Sequence, residues 1–160
     1  MDKIIIHRKM AIFLGLEDSS VHSKDRYGYN QCEEGYKVPN QVNPNSNELD
    51  DDCSWSILDM KFDSSWDWLM MLVNKIENFK TDKYIGFNMG SSKFSAGFMG
   101  ILPGENDEGL IWEKVVRTGR KSNRFEAVYD AICKFIEWYD DDTGEISKII
   151  EDKKKKGIID

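Results

Sequence analysis

The sequence predicts an α+β fold in which a small, mainly antiparallel sheet of three to five strands is packed by helices. Three observations carry that reading. Residues 64–79 and 123–139 repeat apolar side chains at helical spacing behind capping signals. Between them, two-residue alternation recurs in short runs separated by turn-forming residues, the pattern of hairpins. Hydrophobic residues make up 40% of the 160-residue chain and aromatics 12%, enough apolar surface to build a core. The expected organisation is a single domain over residues 1–139, interrupted by an acidic insertion at about 17–63, with a charged tail at 140–160.

Residues 2–16, DKIIIHRKMAIFLGL, suit a first helix with Asp2 as N-cap and Gly15 near its end, although the run Ile4, Ile5, Ile6 equally suits a strand. From Glu17 to about Asp52 the periodicity gives way to Pro, Gly, Asn, Ser and Asp. Tyr27, Tyr29, Tyr36, Val38 and Val42 are enough to hold this long segment against a core, and short strands are expected near 36–42 and 55–62. Residues 17–63 carry eleven acidic against four basic side chains, an excess equal to that of the whole chain.

A second helix follows at 64–79, SSWDWLMMLVNKIENF, with Ser64 as N-cap and Asp67 three residues on. Trp66, Leu69, Met70, Val73 and Ile76 fall on one face, and Trp68, Leu72 and Phe79 on another. Strands are expected at 84–89, 93–102 and 110–118, with a turn at Gly90, Ser91 and Ser92 and a polar loop at 103–109. In the last long helix, Asn123 and Glu126 repeat the capping device, and Phe125, Val128, Ala131, Ile132, Phe135 and Tyr139 form the core stripe. A short helix around 146–150 is expected within the tail.

A net charge of −7 and a pI near 4.9 argue against general charge-driven binding to nucleic acid or to an anionic membrane, so any such role needs a local patch. Cys32, Cys53 and Cys133 are odd in number and share no C-x-x-C spacing, which suits a reducing cytoplasm. The apolar run at 10–16 is closed by Glu17 and Asp18, so no signal peptide is read, and no run approaches the roughly 20 apolar residues of a spanning helix.

No catalytic residue, metal ligand or cofactor is assigned. The run from Asp140 to Glu145 places its glycine fifth where a calcium loop needs it sixth. His7 and His22 have no ligand spacing, and His22 with Ser19, Ser20 and Ser23 lacks a nucleophile elbow and an ordered acid. No phosphate-binding glycine loop or dinucleotide fingerprint occurs.

Two places carry the candidate chemistry. RTGRKSNR holds three of the chain's five arginines, and Arg117, Arg120, Lys121, Ser122 and Arg124 form a candidate phosphate site where a strand enters a capped helix. The plainer alternative is a solvated loop. The order helix, three strands, helix weakly resembles a double-stranded RNA-binding domain, in which Lys121 and Arg124 would touch phosphates. The second place is the tryptophan pair: Trp66 and Trp68 read first as packing, and otherwise as a partner interface together with Asp50, Asp51 and Asp52.

A first helix ending in IFLGL, the segment SSWDWLMMLVNKI and the closing FEAVYDAICKFIEWY together resemble the small bacteriophage proteins grouped as the phage ABA sandwich domain. The resemblance covers about the outer two-thirds of the chain. It implies an α/β sandwich of phage or prophage origin and implies no activity. The function expected is a non-enzymatic phage accessory protein in the host bacterial cytoplasm, which counters host defence by binding a defence protein. Two alternatives stand beside it: sequestration of a phosphorylated small ligand such as a nucleotide, or of RNA, at the arginine cluster, and a minor structural or assembly role. A homo-oligomer is compatible with each, and no membrane partner is expected.

Overall fold

The computed structural model describes residues 2–24, 30–39, 52–104 and 109–160, with side chains for all of these except 20–24, 30–32, 52 and 53. Along the chain lie α1 (Lys3–Leu14), β1 (Asp18–Lys24), β2 (Asn30–Pro39), β3 (Asp52–Ser56), α2 (Trp66–Glu77), β4 (Gly86–Ser91), β5 (Ala96–Leu102), β6 (Ile111–Arg117), α3 (Arg124–Thr143) and α4 (Glu145–Lys155). The fold is α+β. Its strands form two three-stranded antiparallel sheets, β1-β2-β3 and β4-β5-β6, where the sequence suggests one sheet.

By their contacts the residues group into two compact units, Met1–Lys61 with Thr143–Asp160, and Phe62–Asp142. The grouping differs from a 1–139 domain with an insertion and a tail. The acidic segment and the tail share a unit with α1, because the segment pairs into a sheet of its own and the tail continues as an amphipathic helix that packs on α1.

In the first of these units the Asp2 carboxylate accepts from the Ile4 N–H at 2.9 Å, and Gly15 ends α1 in the left-handed conformation at φ 74°. Those two caps settle the helix over the strand at Ile4 to Ile6. Arg8 of α1 reaches β2, where its guanidinium donates to both oxygens of Glu34 at 2.6–3.1 Å. The buried Tyr36 hydroxyl donates to the same carboxylate at 2.7 Å. Lys153 of α4 pairs with Asp18 and lies 4.9 Å over the Tyr36 ring, so one polar network ties both helices to β1 and β2.

In the unit 62–142, α2 starts one residue later than the sequence suggests. Ser65 takes the cap position and makes no side-chain cap bond, and Asp67 falls second in the helix, so the Ser64–Asp67 capping box does not form. Trp68, Leu69, Leu72, Val73 and Ile76 are buried, whereas Trp66 and Met70 are 43% and 38% exposed. The two expected faces are therefore re-divided, with Trp68 inside and Trp66 outside.

Both helices of this unit serve one face of the sheet. Phe87 meets Phe79, which follows α2, and Phe135 of α3 at 5.0 Å; Phe98 also meets Phe135, at 5.2 Å. The β4–β5 turn sits at Ser92–Ser95 and not at Gly90–Ser92, because Ser92 closes it twice: its N–H donates to the Ser95 carbonyl at 2.7 Å, and its hydroxyl accepts from the Ser95 N–H at 3.1 Å.

Candidate functional site

The other face of β4-β5-β6 is built by pairing register. Cross-strand partners share a face. Gly86, Ile101 and Trp112 form one row, Asn88, Met99 and Lys114 the next, and Gly90, Gly97 and Arg117 the last. The register shifts between Phe98 and Met99, leaving Val115 of β6 without a partner. This bulge decides the site. Strict alternation would put Arg117 on the helix-covered face with Ile111 and Glu113; one extra residue turns it to the open face beside Lys114 and Trp112.

Gly97 lets this happen. A Cβ on Gly97 would stand 2.5 Å from the Val116 carbonyl oxygen and 3.3 Å from the Arg117 Cα, so β6 can approach this closely only where β5 has no side chain. Beyond β6 the chain is locked back onto β5: the buried Thr118 donates its N–H to the Ala96 carbonyl at 2.8 Å and accepts the Ala96 N–H on its hydroxyl at 3.0 Å.

The result is an open groove of about 310 Å³ whose lining includes Gly90, Ser95, Gly97, Met99, Lys114 and Arg117. A depression of about 340 Å³ adjoins it through Ser95 and Arg117 and extends to Phe94 and Arg120. The Lys114 and Arg117 side chains make no ion pair or hydrogen bond with the described residues. Glu113, their neighbour on β6, faces the other way, where the Lys83 ammonium at 2.7 Å and the Tyr84 hydroxyl at 2.8 Å hold its carboxyl below the usual range. The open face thus carries two cations and no carboxylate among the paired positions.

The residues of the predicted phosphate cluster are dispersed around this end of the sheet. Arg117 is exposed and lines the groove, and Arg120 lies over the Phe94 ring at 4.7 Å. Lys121 turns away to Asp130, at 3.1 Å. The Ser122 N–H donates to Glu126 at 3.3 Å, and the Arg124 guanidinium donates to the Ser91 hydroxyl at 3.0 Å. The start of α3 is not the anion site the sequence suggests: Asn123 caps the Glu126 N–H at 2.9 Å and the Glu126 carboxylate itself occupies the approach.

The partner-interface residues also separate. Trp68 is fully buried edge-on to Phe62, with ring centroids 5.0 Å apart, and presents no ring to a partner. Trp66 packs on Phe125 at 5.1 Å and keeps its outer surface exposed. Asp50 and Asp51 lie outside the described residues, and Asp52 is described only as backbone, in β3.

Sequence reasoning missed Lys114, Trp112, Met99, Ser91 and Ser95. The alternation in IWEKVVR puts Trp112 and Lys114 on one face and was a usable signal. The bulge that adds Arg117 leaves no local signature.

A second cavity, of about 500 Å³, belongs to the unit 1–61 with 143–160 and is lined by Arg8, Asp18, Glu33, Glu34 and Asp160 among others. Its charges largely answer one another, through Arg8–Glu34, Lys153–Asp18 and the Ser56 hydroxyl donating to Glu33 at 2.9 Å. Among the described residues, no three His, Cys, Asp or Glu side chains group to hold a metal ion, and no helix is long and apolar enough to cross a membrane.

No protein-family model, curated protein or solved structure matches the chain.

Proposed function

We propose that the Phe62–Asp142 unit is a non-catalytic module that binds a phosphorylated ligand, a nucleotide or RNA, at the arginine end of its open sheet. The observation that carries this reading is that the Lys114 and Arg117 side chains line one groove and, among the described residues, have no ion-pair or hydrogen-bond partner, on a face whose paired positions hold no carboxylate. Arg120, over Phe94 in the adjoining depression, adds a third positive charge. A guanidinium and an ammonium set over glycine backbone suit a phosphate, which accepts from both and tolerates close approach.

Titration calorimetry with tripolyphosphate and adenosine triphosphate tests it. A charge-assisted bond contributes about 1.5–3 kcal/mol, so Arg117→Glu should weaken binding by at least about tenfold. Unaltered binding by that variant contradicts the reading.

A second reading keeps the chain as a phage accessory protein that blocks a host defence protein in the bacterial cytoplasm. It draws on the phage-domain resemblance and on Trp66 and Met70, one helical turn apart and both exposed on α2. In a phage-protection assay the two readings separate: loss of protection in Arg117→Glu favours the first, and loss in Trp66→Ala with Arg117→Glu active favours the second.

A further inference from the structure

We infer that the ligand of the open sheet is a single-stranded nucleic acid that runs across β6, with its phosphates on Lys114 and Arg117 and a base stacked on Trp112. This rests on the phosphate-binding reading above and names the class of ligand. Trp112 is 49% exposed and shares its face with both cations, so a flat apolar ring and two phosphate partners follow one another along a single strand. Stacking on an exposed aromatic beside a track of positive charge is the general way a chain of bases is held without reading its sequence.

The surroundings favour a strand over a small nucleotide. Trp112 and Arg117 are opposite Ile101 and Gly97, four residues apart on β5, which is about 13 Å at ~3.3 Å per residue. That length suits three to four stacked nucleotides at about 3.4 Å each. A nucleoside monophosphate is too short to fill both ends at once. Between them lies the row Asn88, Met99 and Lys114, where Asn88 offers an amide that can donate to and accept from a base edge, and beside Arg117 the floor is low because Gly90 and Gly97 have no side chains.

Duplex RNA fits less well. The basic groups a double-stranded RNA-binding domain would use, Lys121 and Arg124, are engaged with Asp130 and Ser91. A flat, open sheet also presents stacking surface, which a closed duplex cannot use because its bases are already stacked.

The test compares three fluorescein-labelled octamers on the full chain by anisotropy: oligo-uridine RNA, oligo-thymidine DNA and an abasic strand of equal charge. The expected result is tighter binding of either base-bearing strand than of the abasic one, by about 5- to 100-fold. Trp112→Ala should remove most of that preference, and Arg117→Glu should weaken all three strands. Circular dichroism confirms that each variant is folded. Equal affinity for base-bearing and abasic strands, or a preference that survives Trp112→Ala, overturns the single-strand inference and leaves phosphate binding standing. Abasic and tripolyphosphate ligands that both ignore Arg117→Glu overturn phosphate binding itself.

Discussion

Cys133 sits on the buried side of α3, where burial pushes its thiol from an ordinary 9.0 up to about 12. Tyr129, one turn earlier, is raised as well, first by burial and then by the Cys133 thiol. In both groups the neutral form is the one the fold accommodates, so the unfolded chain loses these protons first. Their contribution to stability is complete below about pH 9 and is lost as the pH rises towards 12. Urea unfolding across this range should show a falling free energy, and Cys133→Ala should flatten the fall; an unchanged slope in that variant would show that the thiol is not the group involved. At the same scale, the tryptophan pair shows the limit of reading residues from sequence. Trp66 and Trp68 look alike in SSWDW, yet residues two apart on a helix point about 200° apart, and packing takes Trp68 fully inside and leaves Trp66 at the surface.

Among the elements, the two long helices differ at their starts in a way that can be measured. Asn123 caps α3 through its side chain, whereas neither Ser64 nor Ser65 makes the equivalent bond for α2. Asn123→Ala should therefore cost about 1 kcal/mol in chemical denaturation, and Ser65→Ala should change stability by only a few tenths. Equal losses would mean that the caps do not distinguish these helices. The helices were legible because a 3.6-residue repeat and a cap are local signals, and the alternating runs around Phe87 and Phe98 were legible for the same reason. β1 was not. DSSVHSK contains one aliphatic residue and no alternation, so it is a strand only because β2 pairs with it. The bulge at Val115 was equally silent, since it depends on how closely β6 approaches Gly97. The candidate site was therefore half visible, with the arginines apparent and their strand neighbours hidden.

For the whole molecule, net charge is a poor guide to what this surface can bind. Residues 62–142 contain fourteen acidic and ten basic side chains, yet six of those ten, Lys93, Lys114, Arg117, Arg120, Lys121 and Arg124, lie between the β4–β5 turn and the start of α3. A field is made by where charges sit, and among the described residues Glu113, the carboxylate of β6, faces away from this basic end. Amide and indole chemical-shift mapping of the chain with an oligo-uridine octamer tests the account most directly. Shifts concentrated at Gly90, Gly97, Met99, Lys114, Arg117 and the Trp112 indole are the predicted result; shifts confined to Trp66 and Met70 on α2, or none on the open sheet, would contradict it.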